Sequence, residues 1–380
     1  MSAEPAKAAP EPPPGPHVVI LAGGTASRNL TITLIRQGVR VTRLVPAWDS
    51  GGSSKLIRET LRILPVGDIR QALMTMAYAE GHAGDVVRIF NARLSETGSQ
   101  VELERELAFY SEGAHPALKL MQRGMAEAIL RYLRIFIAAV GRDFDWRRGS
   151  IGNFILTGAL LAEDGDINAA ILAFKSLCGI GGDVWPASKN HDLTLAAELN
   201  DGRPVRGQHA ITDLSEEDAR VGIRAIVLDR AVANPRACTA IAGADIVVYG
   251  PGSFFTSVLP HLQVDGIAEA LAQAKVPKTL IGNMLEDRET RGLALDAMAL
   301  RLVRAGTGRA ILTHVLAHDG AVPVERVVGA SRFVRRMAST LTGIEVIARD
   351  FEDPWLRGTH DSGLLAAMIL DIARKGVRQA

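Results

Sequence analysis

The chain has 380 residues, of which 47% are hydrophobic, and its 43 lysine and arginine residues nearly balance its 42 aspartate and glutamate residues. A chain of this length and composition can bury one large core or two modest ones, which predicts a globular protein. The net charge of +1 excludes a globally basic surface for nucleic acid, so an anionic ligand must be bound by local chemistry.

The first 16 residues are rich in proline and alanine and contain no apolar core, which predicts a disordered leading segment rather than a secretion signal. No apolar run approaches the roughly 18 residues that a membrane span requires. Cys178 and Cys238 lie far apart and match neither a disulfide framework nor a metal-binding spacing. These features predict a cytoplasmic protein whose residues 17–380 form a single domain.

The chain then alternates between strand and helix patterns. His17–Gly24 is a short apolar run that ends in two glycines, which is typical of a buried strand. We expect a helix over Ser27–Gln37 and a second strand over Val39–Pro46. A proline and a glycine shortly before Asp68 predict that another helix begins near that residue.

Residues 84–140 lose this alternation and carry apolar residues at three- and four-residue spacing, which predicts a helical insert. An insert within a doubly wound sheet often supplies one side of a ligand cleft, so we expect it to cover part of the pocket. The apolar run Tyr132–Val140 favours an alternative, an interface between copies of the chain in a homo-oligomer.

Alternation resumes after the insert. The segment IGNFILTGALLAE predicts an apolar helix, and Asn200-Asp201-Gly202 between two strand-like runs predicts a β-hairpin. Four further apolar runs follow, within RAIVLDR, ADIVVYGPGS, KTLIGNM and RAILTHVLAH. The whole pattern predicts an α/β fold with a doubly wound, mostly parallel sheet, the helical insert and an attached antiparallel hairpin.

Four of the apolar runs end in loops of small and polar residues, namely GGTAS, WDSGGSS, YGPGSFFTS and GNMLEDRET. In an open parallel sheet such loops lie at the carboxyl ends of the strands, where these sheets bind ligands. Bare glycine backbone, hydroxyl groups and helix N-termini together can bind a phosphate. The candidate hydroxyl donors, each of which also fits a helix N-cap, are Thr25, Ser27, Ser53, Ser54, Ser253 and Thr256.

Known nucleotide-binding patterns do not match these loops. The chain lacks GxxxxGK[ST], and GGTASRN fails the GxGxxG spacing, which disfavours a Walker-type nucleotidase and a dinucleotide oxidoreductase. Asp49 and Asp68 are candidate metal-binding or catalytic acids, because a carboxylate beside a phosphate loop can hold Mg2+ against a diphosphate. The alternative for both acids is that each caps the helix that follows it.

The motifs AGGTASRNL, DSGGSSKLIRETLRILPVGDIRQAL, IGNFIL, ADIVVYGPGSFFTS and IGNMLEDRET occur in the order found in one superfamily. The chain resembles, over Val18–His318, the superfamily of 2-phospho-L-lactate transferase (CofD) and the gluconeogenesis factor (YvcK), and it is more similar to the second branch. The resemblance implies a Rossmann-like fold that holds a nucleoside diphosphate. In the first branch a guanosine-diphosphate-linked phospholactate donates its phospholactyl group to a deazaflavin with Mg2+. In the second, UDP-sugars are bound and no reaction is established.

The resemblance also implies roles for individual residues. Asp49 and Asp68 match the family's acids, which implies catalytic roles for both and a metal-binding role for Asp49. The positions that match the family's phosphate loops and asparagines are Gly51, Gly52, Ser53, Ser54, Asn153, Gly250, Gly252, Ser253 and Asn283. The loop chemistry adds Gly23, Gly24, Thr25, Ser27 and Lys55 to the residues expected to bind the nucleotide or its phosphates.

Four departures from the family pattern change these expectations, one of them being Ala26 where the family usually has a glycine. Ser50 stands where the family usually has a second acid, and Lys55 stands where it has a glycine. Losing a carboxylate weakens a metal site and gaining Lys55 adds a cation near the phosphates, so this chain is expected to rely less on Mg2+. Lys55 also fits a solvated helix residue. The segment EDRET after Asn283 replaces a usual Gln-Pro-Gly stretch.

Two functions are consistent with these features. The leading one is a nucleoside-diphosphate-binding transferase that acts at a diphosphate linkage, similar to 2-phospho-L-lactate transferase. The alternative is a regulatory protein of the gluconeogenesis-factor type, which binds a nucleotide sugar without turnover. Both expect a nucleotide-linked small molecule as the partner and neither nucleic acid nor a membrane.

Overall fold

The computed structural model describes residues 15–81, 84–319, 332–334 and 341–377. The strands are β1 (His17–Leu21), β2 (Arg40–Val45), β3 (Asp183–Pro186), β4 (Leu195–Leu199), β5 (Pro204–Arg206), β6 (Ile223–Leu228), β7 (Ala231–Val232), β8 (Ile246–Tyr249), β9 (Val264–Asp265), β10 (Lys278–Ile281), β11 (His314–His318) and β12 (Glu345–Arg349). Seven of them form a parallel sheet with the order β12-β11-β10-β8-β1-β2-β3, in which β1 lies near the middle.

Helices flank this sheet. They are α1 (Arg28–Arg36), α2 (Gly52–Leu61), α3 (Gly67–Ala79), α4 (Gly84–Asn91), α5 (Gln100–Ser111), α6 (Pro116–Leu120), α7 (Arg123–Val140), α8 (Ile151–Ala162), α9 (Ile167–Cys178), α10 (Gln208–Thr212), α11 (Glu216–Val221), α12 (Pro235–Ala242), α13 (Ile267–Gln273), α14 (Leu295–Ala305) and α15 (Ser362–Val377). A π-helical turn, Phe254–Val258, follows β8. No described helix has the length and apolarity needed to cross a membrane.

The central strands are buried on both faces, which explains their continuous apolar runs. Every residue of β1 and of β8 is buried. The neighbouring pairs in this sheet are all parallel, and β1 pairs with β2 on one side and with β8 on the other. The predicted doubly wound parallel sheet is thus confirmed.

The predicted hairpin is also confirmed, because β4 and β5 pair antiparallel across the Asn200-Asp201-Gly202 turn. Gly202 has a φ of +88°, a conformation that favours glycine. The run RAIVLDR pairs with this hairpin as β6 rather than joining the main sheet. Its burial pattern fits this position, since β6 has exposed residues along its length while the central strands β1, β8 and β10 of the main sheet are buried throughout.

Residues 84–140 are helical, as predicted, and comprise α4 to α7. Helix α7 packs along α8, and at Gly158 an added Cβ would lie 1.8 Å from the carbonyl oxygen of Tyr132. Aromatic rings fill this junction, with Phe136 stacked on Phe154 at a ring distance of 4.5 Å. The disordered segment predicted for residues 1–16 lies almost wholly outside the described residues.

The strand order places a topological switch between β1 and β8. From β1 the chain continues to β2 and β3 on one side, and the later strands β8, β10, β11 and β12 lie on the other. The loops that leave β1 and β8 therefore separate at the carboxyl edge of the sheet and leave a crevice, the usual ligand position in such folds.

Candidate functional site

The loops after β1, β8 and β10 meet at the carboxyl edge of the main sheet. The Asn283 side chain donates to the carbonyl oxygen of Gly252 at 2.8 Å and accepts from its amide at 3.0 Å. Gly252 has a φ of +139°, and an added Cβ would lie 3.1 Å from the Ala26 side chain. Glycine at this position thus permits both the backbone conformation and the close approach of the β1 loop.

A cleft of about 350 Å³ opens between these loops. The sequence-predicted residues Gly252, Ser253 and Asn283 line it, together with Asp287 from the segment after β10. The C-terminal segment before α15 forms another wall through Gly358, Thr359 and His360. No motif in the sequence marked this segment, so this wall of the cleft was not predicted.

Asp49 and Asp68 form a carboxylate pair beside the β1 loop. Asp68 Oδ1 accepts a hydrogen bond from the Gly24 amide at 2.9 Å, and Asp49 Oδ1 accepts one from the Gly51 amide at 3.0 Å. An added Cβ at Gly24 would lie 2.8 Å from Asp68 Oδ1, and one at Gly67 would lie 2.9 Å from Asp49 Oδ2. Both glycines therefore make room for a carboxylate.

Burial raises the pKa of both acids. Each keeps some accessible surface, yet protein atoms crowd both carboxylates and disfavour their charged forms. Burial, followed by the nearby Asp49 charge, raises the pKa of Asp68 to about 7. A cation placed between the two carboxylates would remove this repulsion.

Two buried arginines, Arg43 and Arg70, lie behind the acids, and both oppose this increase in the pKa of Asp68. Arg43 is fully buried, donates to Thr31 Oγ1 at 3.1 Å and also donates to the carbonyl oxygen of Gly23. Burial lowers the pKa of both arginines to about 10, so both are charged at neutral pH. Neither arginine was predicted as a site residue, although a charged residue inside the apolar run VRVTRLVP was a signal for the first.

Asn153 connects one of these arginines to the serine loop. Arg70 Nε donates to Asn153 Oδ1 at 2.8 Å, and Asn153 Nδ2 donates to Ser53 Oγ at 2.9 Å. Arg70 also donates to the carbonyl oxygen of Phe90 at 2.9 Å and to Asn91 Oδ1 at 3.1 Å, at the end of α4. The predicted site residue Asn153 thus positions Ser53, and Arg70 joins the site to the helical insert.

The stretch Gly51–Lys55 forms the start of α2 at the same edge. Gly52 has a φ of +52°, and nothing lies within 4 Å of an added Cβ, so the backbone conformation rather than space requires glycine there. Gly51 is the N-cap residue and has no side chain to occupy the N-terminal amides. Lys55 is exposed and lies 4.0 Å from Glu59, as expected for a solvated helix residue.

The predicted hydroxyl donors divide into two groups. Thr25, Ser53 and Ser253 keep accessible surface at the carboxyl edge. The other three are buried in the ligand-free chain: Ser27, Ser54 and Thr256. Thr256 Oγ1 donates to Glu289 at 2.6 Å, and Ser54 lies between Asn153 and Asp49.

The acid pair fits Mg2+ only together with a phosphate-bearing ligand. Among the described residues, no group of three or more His, Cys, Asp or Glu side chains could hold a metal ion. Mg2+ commonly binds one or two carboxylates and completes its octahedron with phosphate oxygens and water. Asp49 and Asp68 supply that minimum, while Ser50 accepts a hydrogen bond from the His209 amide at 3.1 Å.

Comparisons with known proteins agree with this architecture. A family model described as 2-phospho-L-lactate transferase CofD matches residues 18–350. A putative gluconeogenesis factor of Nostoc sp. is 28% identical over 366 residues, covering 94% of this chain and 68% of its own length. The gluconeogenesis factor of Listeria monocytogenes is 27% identical over 310 residues, covering 82% of this chain and 80% of its own length.

A solved structure has the same fold. The crystal structure of a UPF0052 family member from Bacillus halodurans aligns with a TM-score of 0.71 and 25% identity, covering 93% of this chain and 99% of that chain. The family match includes the loops after β1, β8 and β10 that line the cleft, and it confirms the resemblance inferred from the loop motifs. The chain therefore belongs to the CofD family, in which it resembles the gluconeogenesis factors.

Proposed function

We propose that the chain binds a nucleoside diphosphate linked to a small molecule, such as a nucleotide sugar. The observation that supports this most directly is the position of the Asp49–Asp68 pair beside the glycine loop of β1. The cleft lined by Gly252, Ser253 and Asn283 lies on another side of the same loop. A diphosphate ligand would use both features, because its phosphates need cations and backbone amides while its organic part needs a cleft.

The roles of the residues follow from their contacts. Asp49 and Asp68 would hold Mg2+, which supplies charge neutralisation of the diphosphate when it is bound. Asn153 fixes the Ser53 hydroxyl beside the N-terminus of α2, where partial positive charge favours an anion. Arg43 and Arg70 favour the charged form of Asp68, because both lower its pKa.

Binding without turnover is the activity that this geometry supports best. Ser50 holds the His209 amide and adds no carboxylate to the metal site. This observation favours a ligand-sensing regulator, the alternative that the sequence pattern left open for a relative of the gluconeogenesis factors.

Transfer at the diphosphate linkage is the second candidate. The retained pair Asp49 and Asp68 favours it, because Mg2+ held there would stabilise the charge that develops on a leaving phosphate. The family description, 2-phospho-L-lactate transferase, names this class of reaction.

A thermal-shift panel with GDP, UDP, UDP-sugars and deazaflavins, each with and without Mg2+, tests the proposal. A ligand at 100 times its dissociation constant stabilises the folded protein by about 2.7 kcal/mol, which such a panel detects. We expect a nucleoside diphosphate or its sugar derivative to raise the melting temperature. Absence of a shift with every nucleotide would contradict the proposed function. Product formation from a bound nucleotide would establish the transferase instead of the regulator.

A further inference from the structure

The segment Glu286–Arg291, which follows Asn283, connects the cleft to a different part of the chain. Arg288 donates to Asp213 Oδ1 at 2.7 Å and to the carbonyl oxygen of Leu214 at 3.0 Å. Arg291 donates to Glu216. Arg288, which belongs to the EDRET stretch, and Arg291, which follows it, thus fasten the segment to the end of α10 and to α11.

Glu289 is the buried centre of this contact. Only 2% of its surface is exposed, and its Oε1 accepts from Thr256 Oγ1 at 2.6 Å and from Thr212 Oγ1, at the end of α10, at 3.0 Å. Its Oε2 accepts from the amides of Phe255 at 3.1 Å and Thr256 at 3.2 Å. Four donors therefore converge on one buried side chain, which holds Thr212 and the Phe255–Thr256 turn together.

The amides that Glu289 holds belong to the π-helical turn directly after the glycine loop Gly250–Ser253. The Ser257 amide in turn donates to the carbonyl oxygen of Ser253 at 2.8 Å. Glu289 therefore fixes the turn from which the cleft-lining glycine loop extends.

Helix α10 also contacts the loop after β2, at Ser50 and Gly51. The His209 amide donates to Ser50 Oγ at 3.1 Å, and His209 Nδ1 would lie 3.8 Å from a Cβ added at Gly51. A second connection exists beside it, because Trp48 Nε1 donates to the carbonyl oxygen of Thr256 at 2.7 Å. The loop after β2 that carries Asp49, here called the Asp49 loop, is thus joined in two ways to the turn that follows the β8 glycine loop. Trp48 makes one connection directly. Helix α10 makes the other, through Thr212 and Glu289.

We propose that Glu289 is a positioning residue that couples the Asp49 loop to the β8 glycine loop through Thr212 and α10. Ordering of either loop then favours the binding geometry of the other. The effect of this coupling on ligand affinity rests on the proposed function. The contacts that produce the coupling do not, because they are present in the ligand-free chain.

The test compares Thr212→Val with Thr212→Ser. Thr212 is exposed, so neither variant disturbs the core; valine removes the hydroxyl that donates to Glu289, and serine retains it. We expect the amides of residues 49–54 and 254–258 to exchange about tenfold faster in the ligand-free valine variant. A tenfold change corresponds to a decrease of about 1.4 kcal/mol in the free energy of local opening. The serine variant should exchange like the wild type. Acceleration confined to residues 208–216, or none, would overturn the coupling and leave Trp48 as the effective connection.

A ligand titration completes the test, with UDP, GDP and UDP-N-acetylglucosamine in Mg2+ as the probes. We expect the valine variant to bind the probe that the wild type binds about tenfold more weakly, and the serine variant to restore affinity. Equal affinity of the wild type and the valine variant would contradict the coupling. If the wild type binds none of the probes, the proposed function fails for them, and the hydrogen exchange result still decides the coupling.

Discussion

At the scale of the residue, the site is built from buried groups whose charges are only partly compensated. Burial, followed by the nearby Asp287 charge, raises the pKa of Glu289 to about 7, and its four hydrogen bonds oppose that shift without cancelling it. Asp49 and Asp68 show the same pattern at the adjacent edge. The fold thus keeps these carboxylates buried although their burial disfavours the charged form.

Stability should therefore fall as the pH rises through the range in which Glu289 ionises. A carboxyl whose pKa is higher in the folded state than in the unfolded state binds its proton more tightly when folded, so folding is favoured at low pH. The contribution is lost between the unfolded pKa, near 4.5, and the folded pKa of about 7. Chemical denaturation of the wild type and Glu289→Gln at pH 5 and pH 8 measures it.

We expect the difference in unfolding free energy between the two pH values to be smaller in Glu289→Gln, by at most about 3 kcal/mol. Asp287 is the charged neighbour of Glu289, and Asp287→Asn serves as the control for its influence on the pKa. An identical pH dependence in the wild type and in Glu289→Gln would show that Glu289 does not titrate in this range.

Gly52 gives a second prediction at this scale. Its φ of +52° is unfavourable for valine and tolerated by asparagine, and neither side chain meets a neighbour within 4 Å at Cβ. We expect Gly52→Val to remove nucleotide binding while the protein stays folded, and Gly52→Asn to retain most of it. Titration with the nucleotide found in the thermal-shift panel measures both. Full affinity in the valine variant would show that the conformation of this loop is irrelevant to binding.

At the scale of the element, the site depends on helices that meet the sheet edge from different parts of the chain. The N-termini of α2, α3 and α8 are brought together by the bonds that Asn153 makes to Ser53 and Arg70. Arg70 also donates to the carbonyl oxygen of Phe90 at the end of α4. The helical insert is therefore connected through Arg70 and Asn153 to Ser53 at the start of α2.

Asn153→Ala tests this connection. The change leaves the buried Arg70 Nε without its acceptor, which typically costs about 1–3 kcal/mol for an unsatisfied buried group. We expect a lower unfolding free energy together with faster hydrogen exchange in residues 49–54 and 84–91. Asn168→Ala is a suitable control, since Asn168 bonds Asn234 at a different part of the fold. A loss of stability without faster exchange in either segment would contradict the connection.

The role of the insert itself is still a prediction. If it covers part of the pocket, the nucleotide should slow hydrogen exchange within residues 84–140, starting from Phe90 and Asn91, which bond Arg70. If instead Tyr132–Val140 forms an interface between copies, exchange should depend on protein concentration and be insensitive to ligand. Tyr132, Leu133, Phe136 and Val140 are buried within the described chain, which leaves fewer apolar side chains of this run free for an interface.

At the scale of the whole molecule, the sequence predicted the sheet well because periodicity and loop composition are local signals. The apolar runs of β1, β2, β8 and β10 and the turn at Gly202 were each visible in the residues themselves. The placement of β6 was not, because pairing with β4 rather than with the main sheet depends on distant partners.

The site was predicted in part for the same reason. Loop residues such as Asp49, Gly52 and Asn283 follow strands that could be recognised, so their meeting at one edge followed from the topology. Glu289, His360 and Arg70 act through contacts between segments far apart in sequence, such as the bond from His360 to the carbonyl oxygen of Gly282 at 2.9 Å. No spacing of residues along the chain predicts such contacts. The burial of Ser27 and Thr256 likewise became clear only from packing.

If Asp49 and Asp68 hold a cation against a bound diphosphate, as we propose, the affinity for that nucleotide should depend on Mg2+ through these two acids, which calorimetric titration with and without Mg2+ measures. We expect Mg2+ to strengthen binding to the wild type and to Glu59→Gln, a control acid exposed on α2. Asp49→Asn should lose most of this gain, at least about tenfold in affinity, because an amide ligates Mg2+ poorly, yet keep the binding that the loop amides provide. Ser50→Asp should enlarge the gain. An Asp49→Asn variant with unchanged affinity and an unchanged response to Mg2+ would contradict the claim.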